Sequence, residues 1–115
     1  MMNKLITAMI LFVFGHILIW YQTNGQFVWP WFKKNPLAVA FIFAIPISYS
    51  FIIATKFIVE YFDGTLWPGR FIGFAMGITS FAIMTNVYMN EGISTKTAVS
   101  LVLATTLVAI QILWK

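Results

Sequence analysis

The stretch PLAVAFIFAIPISYSFIIATKFIVEYF, Pro36 to Phe62, decides the fold. It carries no charge before Lys56, so its apolar run matches the roughly 20 residues that a membrane-spanning helix needs. The run is continuous, without alternation of apolar and polar positions, and therefore reads as a helix rather than a barrel strand. In hydrocarbon the backbone must satisfy its own hydrogen bonds, and a helix does so within one segment. At 1.5 Å per residue the helix would be about 40 Å long, against a hydrocarbon core of roughly 30 Å. The excess lets Lys56 and Glu60 lie at or beyond the interface as an i,i+4 ion pair. The alternative leaves Lys56 within the bilayer.

Three more runs of the same character flank this one: Leu5 to Tyr21, Arg70 to Met89 and Thr97 to Trp114. Four spans with their joints take up nearly all 115 residues. The expected fold is all-α, one membrane domain over 1–115 arranged as a four-transmembrane-helix bundle. Composition agrees, because hydrophobic residues make up 61% and charged residues 9%, where a globular domain carries about 25% charged residues. The 7 Lys and Arg and 3 Asp and Glu cannot solvate a water-soluble surface of this size. The basic excess is no nucleic-acid footprint, since Lys4, Lys33, Lys34, Lys56, Arg70, Lys96 and Lys115 are spread along the chain rather than clustered on one face. The partner expected is the lipid bilayer, and the location a cell inner (plasma) membrane. The absence of cysteine excludes disulfides and thiolate chemistry. A cleaved signal peptide is the alternative for Met1 to Tyr21, but no small-residue cleavage site follows, and Trp20-Tyr21 ends the run as an interfacial anchor does.

The joints support the same division. Asn24-Gly25 is a strong turn signal in the long joint from Gln22 to Asn35. Trp20, Trp29, Trp31, Trp67 and Trp114 all fall near a span end, where an amphipathic ring meets the headgroups. Asp63-Gly64 and Trp67-Pro68-Gly69 turn the chain between the second and third spans, and Ser94 or Thr95 is placed to cap the fourth. An even number of spans puts both termini on one side with Lys4, Lys56, Arg70 and Lys115, while Lys33, Lys34 and Lys96 lie on the other. This is almost no positive-inside bias. A single orientation with cytoplasmic termini and insertion in both orientations, which permits an antiparallel dimer, both remain open.

The polar residues inside the spans are the candidates for function, because lipid offers them no partner. His16 is the one titratable group well inside the first span, and imidazole changes protonation near neutral pH. It either serves a proton relay or bonds a neighbouring helix. Pro46 frees the carbonyl of Ile42 and predicts a kink in the second span. Ser48, Tyr49, Ser50 and Thr55 follow it, Ser48 sharing a face with Thr55 and Tyr49 with Lys56. They line a path, or the hydroxyls bond back to their own backbone. In the third span Gly69, Gly73 and Gly77 recur every four residues on one face with Ser80 and Met84, as in a close helix–helix contact. Asn86 is expensive in lipid and should point inward. The fourth span pairs Ser100 with Ala104 and Thr105 with Ala109, a pattern suited to packing. Glu60, Asp63 and Glu91 all fall at span ends. No nucleophile–base pair and no three- or four-ligand metal set is present, so neither an enzyme nor a metal or other cofactor is expected.

Tyr88-Met89-Asn90-Glu91-Gly92-Ile93-Ser94, followed by the apolar run Ala98 to Trp114, resembles the acidic turn and final helix of the drug/metabolite transporter superfamily. The layout is similar to its small four-helix members, of which the small multidrug resistance transporters are the best known. Gly15-His16 near Trp20-Tyr21 is reminiscent of a small family within it. The resemblance implies a secondary transporter of a small solute or ion working as a homodimer, with His16, Tyr49, Asn86 and Lys56 lining a shared path. One departure matters. The small multidrug resistance proteins bind protons and cationic substrate in turn on a glutamate of the first helix, and the first span here has no carboxylate. That coupling scheme does not carry over. The alternatives are an accessory or structural membrane subunit and a small oligomeric pore.

Overall fold

The computed structural model describes residues 2–114, with side-chain surroundings from residue 3 onward. It consists of α1 (Met2–Asn24), a 3-10 turn (Gly25–Phe27), α2 (Pro30–Lys34), α3 (Pro36–Tyr61), α4 (Trp67–Met89) and α5 (Thr95–Leu113). Helices α1, α3, α4 and α5 have the length and apolar composition of membrane spans. The protein is an all-α, four-helix, multi-pass membrane protein. Lys115, assigned above to the side of the termini, lies outside the described residues.

The helix ends follow local chemistry. Pro30, Pro36 and Pro68 each stand in the first turn of a helix, where a missing N–H removes no helical bond. This corrects two joints. Trp67-Pro68-Gly69 begins α4 instead of turning the chain, and Pro30 to Lys34 forms the short α2 within the joint between the first two spans. The reversal between α3 and α4 falls on Asp63 and Gly64, with φ of 55° and 89°. Asn90 ends α4 in the left-handed region at φ 54°, which its short amide side chain tolerates. Ser94 caps α5 by accepting a hydrogen bond from the Thr97 backbone N–H at 3.2 Å. Helix α3 runs unbroken through Pro46. There the Ser50 hydroxyl donates to the Pro46 carbonyl at 2.8 Å, so this polar side chain is satisfied by its own helix.

Helix α1 is the centre of the molecule and packs along both α3 and α4, which touch each other much less. The core comprises Ala8 and Phe12 of α1, Ala54 and Ile58 of α3, and Ile72 of α4. Lipid tails are as apolar as these side chains, so the association rests on close packing and dispersion rather than on escape from water. Helix α5 lies against α4 and contributes no buried residue among those described. The result is a slab of 48 × 36 × 18 Å, in which three helices share a core and the fourth is peripheral.

The ion pair expected within α3 does not form. Glu60 instead meets Lys4 of α1 at 3.0 Å, because antiparallel packing sets the start of α1 beside the last turn of α3. Lys56 is exposed, its ammonium 5.9 Å from the centre of the Phe57 ring.

Candidate binding cavity

A cavity of about 710 Å³ opens between α3 and α4 with α1 behind it. Helices α3 and α4 each pack on α1 but touch each other little, which leaves this space between them. Phe12, Phe51, Ile58 and Phe74 supply apolar wall, Leu66 and Trp67 stand where the loop enters α4, and Thr55, Arg70 and His16 are its polar members. Among the described residues no acidic side chain lines it. Its volume falls within the usual range of roughly 300–1,000 Å³ for small-molecule sites.

His16 is half-buried where α1 meets α3 and α4. Its Nδ1–H donates to the Phe12 carbonyl at 2.8 Å, and since a carbonyl only accepts, Nδ1 carries a proton. The ring lies 5.0 Å from the Phe51 ring of α3, centre to centre. It also lies against Gly77 of α4, where an added Cβ would stand 2.5 Å from Nε2. The glycine row of α4 continues the contact. A Cβ on Gly69 would stand 2.5 Å from Ile58, and one on Gly73 would stand 3.3 Å from Phe12. These three positions therefore let α1 and α3 approach the backbone of α4, and Ser80 and Met84 are buried along the same helix.

The other candidates lie elsewhere. Tyr49 is 67% exposed and Lys56 and Asn86 are exposed, and none of the three lines the cavity with His16. For both Tyr49 and Asn86 the buried polar residue is the sequence neighbour, Ser50 in α3 and Thr85 in α4. Thr85 Oγ1 accepts a hydrogen bond from Trp20 Nε1–H at 3.0 Å, which joins α1 to α4 at the end remote from the cavity mouth. Tyr88 stacks on Trp20 at 5.2 Å, and its hydroxyl lies 2.6 Å from that of Tyr21. Trp29 packs edge-on against the same Tyr88 ring at 5.5 Å. This cluster fastens the Gln22–Asn35 joint to the helices.

Arg70 was legible only as a topology charge, yet it stands at the cavity rim. Its position carried a signal. Arg70, Gly73 or Phe74, and Gly77 follow one another at helical i,i+3/i+4 spacing, so Arg70 flanks the glycine stripe. Among the described residues no group of three or more His, Asp or Glu side chains is placed to hold a metal. No protein-family model matches the chain, and no curated protein or solved structure is significantly similar to it.

Proposed function

We propose that the protein is a secondary transporter of a small solute, working as a homodimer. The observation that carries the reading is the cavity that reaches from the loop end of the membrane helices to His16 and stays open between α3 and α4. Helices α1, α3 and α4 of a single chain wall it. Helix α5, with no buried residue among those described, offers the surface on which two copies meet. Tyr49, Lys56 and Asn86, exposed on one chain, are available to a path shared by two. In this role His16 orders the floor of the path, its Nδ1–H held by the Phe12 carbonyl.

Two measurements test this. Purified protein reconstituted in proteoliposomes should give saturable, downhill or proton-coupled flux of a small solute, and His16→Ala should reduce it. Absence of flux across a broad panel of anionic, cationic and neutral solutes would sink the transport reading. The chain has no cysteine, so Leu103→Cys on the exposed face of α5 provides a unique crosslinking site. A dimer band in membranes is the expected result. The bare surface of α5 also fits an accessory subunit seated on a larger complex, and a crosslink only to other proteins would favour that reading.

A further inference from the structure

We infer that the cavity binds an anionic amphiphile, its headgroup on Arg70 and its apolar chain running between α3 and α4 toward His16. The inference rests on the reading of this cavity as the substrate site and names the substrate class.

Charge decides the headgroup. Arg70 stands at the rim with no ion pair and no side-chain hydrogen bond among the described residues. Glu60 is engaged by Lys4 at 3.0 Å, and neither Glu60 nor Asp63 lines the cavity. A guanidinium at an apolar rim has five N–H donors and no acceptor, and it matches carboxylate or phosphate in a bidentate fork. Trp67, beside it, adds an indole N–H donor at the level where headgroups lie. A cationic headgroup would meet Arg70 with no compensating carboxylate.

The walls decide the rest. Apart from Arg70, His16, Trp67 and the single hydroxyl of Thr55, the lining is apolar and includes four phenylalanines. From Arg70 to Gly77, on which His16 rests, α4 rises about 10 Å at 1.5 Å per residue. A purely hydrophilic anion would leave that depth unfilled, whereas an acyl chain fills it. The opening between α3 and α4 lets such a molecule enter sideways from the lipid. Two sources share this chemistry, a single-chain fatty carboxylate and an anionic phospholipid.

The test is native mass spectrometry of the purified full chain released from micelles, scoring bound adduct. Dodecanoate is compared with dodecyltrimethylammonium, and phosphatidylglycerol with phosphatidylcholine. Retention of the anion should exceed that of its counterpart by about tenfold or more, the ratio expected of a charge-assisted hydrogen bond. Arg70→Gln should erase the preference and Arg70→Lys should keep part of it. Lys96→Gln, at the start of α5 and remote from the cavity, should leave it intact. Thr55→Trp, which fills the cavity from α3 with Arg70 in place, should lower retention of both anions. Preference for dodecanoate alone assigns the free fatty carboxylate, and preference for phosphatidylglycerol alone assigns the bilayer lipid. Either supports the inference. Equal retention of anion and counterpart overturns it, as does a preference that survives Arg70→Gln in a protein of unchanged helix content. Retention is read without flux, so a charge-blind cavity in a protein that transports removes only the substrate class. Selective retention without flux removes only the transport.

Discussion

His16 is held by contact more than by chemistry. Its ring fills the space between Phe51 and Gly77, and its one hydrogen bond goes to its own helix. A methyl group on Gly77 would collide with that ring, which also lies against Phe51. Gly77→Ala should therefore destabilise the fold by about 1–3 kcal/mol, the usual cost of overpacking, seen as a lowered midpoint of thermal unfolding in micelles. An unchanged midpoint would show that the ring moves freely. The bond from Trp20 to Thr85 is the clearest polar link between helices. A double-mutant cycle of Trp20→Phe and Thr85→Val should give a coupling of about 0.6–1.7 kcal/mol, the range for hydrogen bonds between membrane helices. A value near zero would mean that Thr85 turns to a backbone carbonyl at no cost. Lys4 and Glu60, each nearly half exposed at 47% and 40%, should matter far less, within the roughly 0–1 kcal/mol of surface ion pairs.

The extent of the helices was legible within a few residues, because an apolar run of spanning length leaves a chain in lipid little choice but helix. Their rotation was not. On the single chain Tyr49 and Asn86 are exposed while Ser50 and Thr85 are buried, a difference of one residue and about 100° in each helix. Spans that are apolar on all sides have no wet face to set their phase. The glycine row was visible as spacing, but only packing shows that it receives Ile58, Phe12 and His16. In α5 the hydroxyls of Ser100, Thr105 and Thr106 donate to the carbonyls four residues back, at 3.1, 2.9 and 2.9 Å. They need no partner and leave the helix free to face lipid or another chain. Its start depends on Ser94, and Ser94→Ala should cost about 1 kcal/mol through loss of the cap. The check is faster amide exchange confined to the first turn of α5; protection equal to the native chain would count against the cap.

The whole molecule is a thin slab with a three-helix core, so much of its apolar surface stays outside. Its orientation depends on few charges. Lys33 and Lys34 stand on α2, opposite the side that holds Lys4 and Arg70. Replacing both by Gln leaves Lys96 alone on that side, and the positive-inside rule then favours cytoplasmic termini. Single cysteines placed at Thr65 and Glu91 in this cysteine-free chain should report the change by labelling from the two sides of intact cells. Labelling patterns identical to those of the native charge set would show that topology does not depend on these lysines.

Composition and run length by themselves determined the solvent, the helical class and the number of spans, since a chain with so few charges must hide its backbone in helices. The local signals of Ser94 and Asp63-Gly64 also marked a cap and a turn correctly. Only the tertiary structure decided which side chains meet. Antiparallel packing gave Glu60 to Lys4 rather than to Lys56, and the sparse contact between α3 and α4 left a cavity lined by both Arg70 and His16. Those outcomes depend on the rotation and approach of helices that lipid does not orient, and that information resides in the fit of side chains across helices rather than in the periodicity of any one of them.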